Sequence, residues 1–85
     1  MYVVSQNKKV LIEPKGFIID ELGIHDPNNW LEERKKYIIS GVCNGDEYNL
    51  GIYKTEERAL EVLDELIKEI KYCTSPVIIF EMPEE

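Results

Sequence analysis

The stretch from Glu47 to Leu66 constrains this chain more than any other, because its apolar spacing changes period partway along. Tyr48, Leu50 and Ile52 alternate with polar or small residues, the pattern of a strand with one buried face. From Ala59 the apolar positions recur at helical spacing, through Leu60, Leu63, Leu66, Ile67 and Ile70, with Leu63 near the centre of the stripe. A strand therefore runs straight into a long helix. Thr55 sits at the junction, where its hydroxyl can cap the helix, and Glu56 and Glu57 suit the positive end of the dipole. The helix is predicted to reach Tyr72, about 27 Å at 1.5 Å per residue. Thr74-Ser75-Pro76 then stops it.

The other elements are short and β-prone. Tyr2–Ser5 and Lys9–Glu13 flank the polar Gln6-Asn7-Lys8 and read as a hairpin. Pro14-Lys15-Gly16 interrupts the chain before a third strand at Phe17–Asp20. Tyr37–Cys43 and Glu47–Tyr53 form the clearest hairpin, since Asn44-Gly45 between them tolerates the positive φ of a two-residue turn. Val77–Glu81 is a last strand. A short helix is expected at about 27–35, with Asp26 as cap, Pro27 in the first helical position and Arg34, Lys35 and Lys36 at the far end. The expected fold is thus one α+β domain over residues 1–85: a small, mainly antiparallel sheet with one long helix packed on one face.

Eighty-five residues give a marginal core. Val10-Leu11-Ile12, Tyr37-Ile38-Ile39 and Val77-Ile78-Ile79-Phe80 place apolar side chains on both faces of their strands, as in sheets covered on two sides. One helix covers one side, so a homo-oligomer is expected to cover the other.

A net charge of −7 argues against a nucleic-acid binder, whose affinity rests on neutralising phosphates. No apolar run approaches the ~20 residues of a membrane span, and Met1–Lys9 lacks the charged-then-apolar order of a signal peptide. The expected location is the cytoplasm. Cys43 and Cys73 fit no metal spacing and are read as reduced thiols, with a disulfide between them left open by sequence. His25 beside Asp26 has no second histidine, so no metal site is expected. No serine or cysteine has a histidine partner at recognisable spacing. Neither an enzyme nor a cofactor is expected.

The candidate ligand site is the strand–helix junction. Arg58 lies in the first helical turn, off the apolar stripe, where free backbone N–H groups and the dipole favour an anion. Its guanidinium can grip a phosphate in two places. Lys54 and Thr55 stand beside it, and Tyr53, out of phase with Leu50 and Ile52, is the residue placed to stack on a base. Tyr48, in phase, is assigned to the core. The competing account of Arg58 is a surface ion pair with Glu61, three residues on. Glu57, Glu61, Glu65 and Glu69 form a row of carboxylates along one helix edge, with Lys68 interleaved. That row is either a solvated face or a surface for a basic partner.

Three segments, Tyr2-Val3-Val4-Ser5-Gln6, Tyr48-Asn49-Leu50-Gly51-Ile52-Tyr53 with Thr55–Leu63, and Phe80-Glu81-Met82-Pro83-Glu84, together resemble small phage and prophage proteins of Gram-positive bacteria. The segment Gly23–Arg34 is longer than the connection that group carries. The resemblance implies a phage origin and a role against bacterial immunity, such as an oligomeric sponge for cyclic nucleotide signals. A different class of function is an interaction protein that blocks a host defence protein through its acidic helix edge or an exposed sheet edge.

Overall fold

The computed structural model describes residues 1–25, 33–72 and 78–85. Six strands and one helix follow in the order β1 (Tyr2–Val4), β2 (Leu11–Ile12), β3 (Gly16–His25), β4 (Glu33–Cys43), β5 (Asp46–Tyr53), α1 (Glu56–Tyr72) and β6 (Ile79–Glu81). The fold is α+β, with the strands in two sheets instead of the single sheet expected. One has the order β2-β1-β6 and the other β3-β4-β5. All pairings are antiparallel except β1 with β6, where Tyr2, Val3 and Val4 run parallel to Ile79, Phe80 and Glu81.

The first hairpin forms where the sequence places it, but β2 is shorter than Lys9–Glu13. Lys8 takes a left-handed φ of 66°. Asn7 Oδ1 accepts the Lys9 amide at 3.0 Å, and Ser5 Oγ accepts the Val10 amide at 3.0 Å. These side chains take the donors that a longer ladder would use. The second hairpin turns at Asn44 and Gly45, whose φ values of 54° and 84° are the positive pair that an Asn-Gly turn requires.

β3 and β4 are longer than the sequence indicates. Gly23 does not end the strand, and the ladder continues through Gly23–Lys35 and Ile24–Arg34 to His25–Glu33. Pairing satisfies the backbone groups of both strands, and it overrides the weak β-propensity of the Arg-Lys-Lys run. The short helix expected at 27–35 is therefore corrected at its end: residues 33–35 are strand, while 27–32 lie outside the described residues. Because β4 pairs with β5 only from Tyr37 onward, the far part of the β3–β4 ribbon is two-stranded.

One irregularity governs the packing. Ile39 pairs with Gly51, but the next residue, Ser40, pairs with Asn49, so Leu50 is an extra residue in β5. A bulge of this kind breaks the alternation of faces. Leu50 and Gly51 are both buried, Ile52 turns out at 43 % exposure, and Tyr53 turns in at 2 %. The expectation that Ile52 faces the core and Tyr53 the surface is reversed for this reason. Tyr48, nearer the Asn44-Gly45 turn, stays 37 % exposed and is not a core residue.

The helix lies across β4 and β5, and it buries Ala59, Val62 and Leu66. These join Val3, Ile39, Leu50, Tyr53 and Met82 in one core shared by both sheets. The centre of the buried stripe is Val62 and Leu66, rotated from Leu63, which is only half-buried. Leu66→Ala should therefore cost about 2–5 kcal/mol, and Leu63→Ala clearly less, in urea melts. Equal losses would return the centre of the stripe to Leu63.

Candidate functional site

Thr55 caps the helix as its position implies, its Oγ1 accepting the Arg58 amide at 3.1 Å. Above this turn the end of the chain folds back, and together they enclose a recess of about 440 Å³ lined by Ile52, Tyr53, Lys54, Thr55, Arg58, Glu84 and Glu85. The four residues expected at the junction are thus brought together around one depression. A second, shallower depression on the other side of Lys54 and Thr55 is bounded by Tyr37, Glu56 and Glu57.

Tyr53 does not stand free to stack on a ligand. Its ring folds back over Gly51, where a Cβ would come within 2.9 Å of the ring and of the hydroxyl, so the close approach depends on glycine. The hydroxyl donates to the Pro83 carbonyl at 2.8 Å. The proposed stacking role is corrected by this burial, which follows from the bulge. Burial pushes the phenol up from 10.0 to about 12, with nearby Arg58 pulling it down and Glu65 pushing it up.

Gln6 is the residue that sequence reasoning missed. Its backbone amide donates to the Leu50 carbonyl at 2.6 Å. Its side-chain oxygen accepts the Ile52 amide at 3.0 Å, and its side-chain nitrogen donates to the carbonyls of Ile52 at 3.3 Å, Pro83 at 3.1 Å and Glu84. One amide side chain thus ties the edge of β5 to the end of the chain. The partners lie 46, 77 and 78 residues away in sequence, so local patterning carries no sign of them.

Arg58 is engaged rather than waiting. Its Nη1 meets Glu61 Oε2 at 3.1 Å, the surface pair anticipated as the alternative, and its Nε donates to the Glu85 carbonyl at 2.7 Å. Lys54 is exposed and has no ion-pair partner among the described residues. The recess therefore sets Lys54 and Arg58 against Glu84 and Glu85, with the half-exposed Ile52 as an apolar wall, while Glu61 pairs with Arg58. An anion entering the recess must displace the Glu85 backbone oxygen from Arg58.

Elsewhere Lys68 pairs with Asp64 at 3.0 Å, leaving the Glu57–Glu61–Glu65–Glu69 row exposed. Cys43 is a free, half-buried thiol, and Cys73, His25's neighbour Asp26 and Trp30 lie outside the described residues. Among the described residues no His, Cys, Asp or Glu group is arranged to hold a metal ion. No helix there is long and apolar enough to cross a membrane. No protein-family model matches the chain, and neither does any curated protein or solved structure.

The Tyr53 environment sets a pH response. A phenol raised above 10.0 in the fold contributes stability that is fully present below about pH 10 and is lost as pH rises through about 12. Ultraviolet titration of tyrosinate should show a late step, belonging to Tyr53, that appears only as the protein unfolds. In Tyr53→Phe that late step should vanish. The same titration curve for wild type and Tyr53→Phe at high pH, with no late step in either, would mean that Tyr53 is not buried.

Proposed function

We propose that this chain is a non-enzymatic binding protein of phage or prophage origin, acting in the cytoplasm of a bacterial host. It withdraws a small, anionic, nucleotide-derived signal of bacterial immunity at the strand–helix recess. The observation that carries the reading is the convergence of Lys54, Arg58 and the first turn of α1 on one recess with an apolar wall. Phosphate oxygens would take the place of the Glu85 carbonyl on Arg58 and meet Lys54. The base would lie against Ile52, since Tyr53 is already committed beneath it. Glu84 and Glu85 oppose an anion in the recess, so binding requires them to move away from Arg58.

A second reading has its own support. The carboxylate row of α1 is exposed, and Leu60, Ile67 and Ile70 stand uncovered on the same helix. An interaction protein that binds and blocks a host defence protein would use such a surface.

Calorimetric titration with cyclic dinucleotides and cyclic ADP-ribose isomers separates the two. On the first reading one of them binds wild type, and Arg58→Ala weakens it by roughly 1.5–3 kcal/mol, the range of a charge-assisted hydrogen bond. Folding should be little affected, since an exposed ion pair contributes about 0–1 kcal/mol. If wild type binds none, the sequestration reading falls and the blocking one replaces it. If Arg58→Ala binds as tightly as wild type, the ligand site is not this recess.

A further inference from the structure

The helix carries a second apolar line that the core does not use. Leu60, Leu63, Ile67 and Ile70 follow at intervals of three, four and three, the seam spacing of paired helices. Leu60 and Ile67 are each 49 % exposed and Ile70 is 56 % exposed, although Ala59, Val62 and Leu66 beside them are fully buried. The seam spans about 15 Å along the axis at 1.5 Å per residue. Single exposed apolar residues need no explanation, but a row at coiled-coil spacing does.

The charges bordering the seam select its partner. On the side away from the core, Glu57 stands near the start of the helix, Asp64 in the middle and Lys71 near the end. Asp64 is neutralised within the chain by Lys68 at 3.0 Å. Glu57 and Lys71 have no ion-pair partner among the described residues, and Lys71 rests over the Tyr72 ring at 5.5 Å. A border that is acidic at one end and basic at the other is complementary to itself when reversed. A parallel copy would set this flank against the partner's core-side flank, which among the described residues holds no charge to meet Glu57 or Lys71.

We infer that this seam is the contact of an antiparallel two-fold dimer of this chain. Leu60 packs against the partner subunit's Ile70, and Leu63 against the partner subunit's Ile67. Glu57 faces the partner subunit's Lys71, and the two helix dipoles run in opposite directions. The recess at Arg58 lies on a different side of the helix, so this inference stands whether or not a nucleotide binds there.

Sedimentation equilibrium of the full chain, with circular dichroism as a folding control, tests it. Wild type should sediment as a dimer of 9.9 kDa chains. Ile67→Glu should keep the helical signal and weaken association about tenfold or more, the effect of some 1.4 kcal/mol. Glu57→Lys and Lys71→Glu should each weaken the dimer, and the two together in one chain should restore it. A monomeric wild type would overturn the inference. A dimer untouched by Ile67→Glu would do so too, moving the interface to another apolar surface, such as that of Tyr2, Leu11 and Ile79. Failure of the double exchange to restore association would overturn the antiparallel arrangement.

Discussion

The extra residue at Leu50 is the constraint on which the rest of this structure depends. Without it, β5 would keep one alternation from Tyr48 to Tyr53, and Ile52 would face the helix in place of Tyr53. With it, the Leu50 carbonyl turns towards the Gln6 amide, 2.6 Å away, and links the two sheets. Tyr53 then turns inward over Gly51 and reaches the Pro83 carbonyl. Gln6 closes the same junction from the other side, so both chain ends meet the middle of the sequence at one place. Every buried polar side-chain atom among the described residues has a partner, which keeps so small a core free of orphaned polar groups.

That junction explains why the recess exists where it does. The chain end is held by Tyr53 and Gln6, and this carries Glu84 and Glu85 over the first turn of α1. Arg58 meets the Glu85 carbonyl as a consequence. Tyr2–Gln6, Tyr48–Tyr53 and Phe80–Glu84 are the segments that meet here. Much of their chemistry is spent on tying the fold together: Gln6 and Tyr53 bond to backbone, and Val3 and Met82 are core. Lys54, Arg58 and Ile52 are the parts left facing the recess.

Local chemistry was legible in the sequence. Thr55 as cap, the helix from Glu56 to Tyr72 and the Asn44-Gly45 turn each depend on residues within one turn or one hairpin. The joining of Lys54, Thr55 and Arg58 in one site followed from the same local reasoning. What escaped was non-local. A bulge leaves no mark when the residues around it are all apolar, as Leu50, Ile52 and Tyr53 are, so the inward turn of Tyr53 was hidden. The continuation of β3 and β4 to His25 and Glu33 depends on each strand having the other, which neither sequence segment reveals alone. The joining of the two sheets depends on Gln6 bonding across the chain. The broad stripe of α1 pointed to Leu63, but only the packing of Val62 and Leu66 against β4 and β5 divides it into a covered side and an open seam.

Native-state hydrogen exchange tests the central claim directly, because the linkage is made of backbone amides. The Gln6 amide, bonded to Leu50, and the Ile52 amide, bonded to the Gln6 side chain, should exchange only through opening of the whole domain. Their exchange free energies should match those of core amides on α1, such as Val62 and Leu66, to within about 1 kcal/mol. Rapid exchange at Gln6 and Ile52 while the helix stays protected would contradict the account, for it would show that the sheets part while the rest of the fold stands.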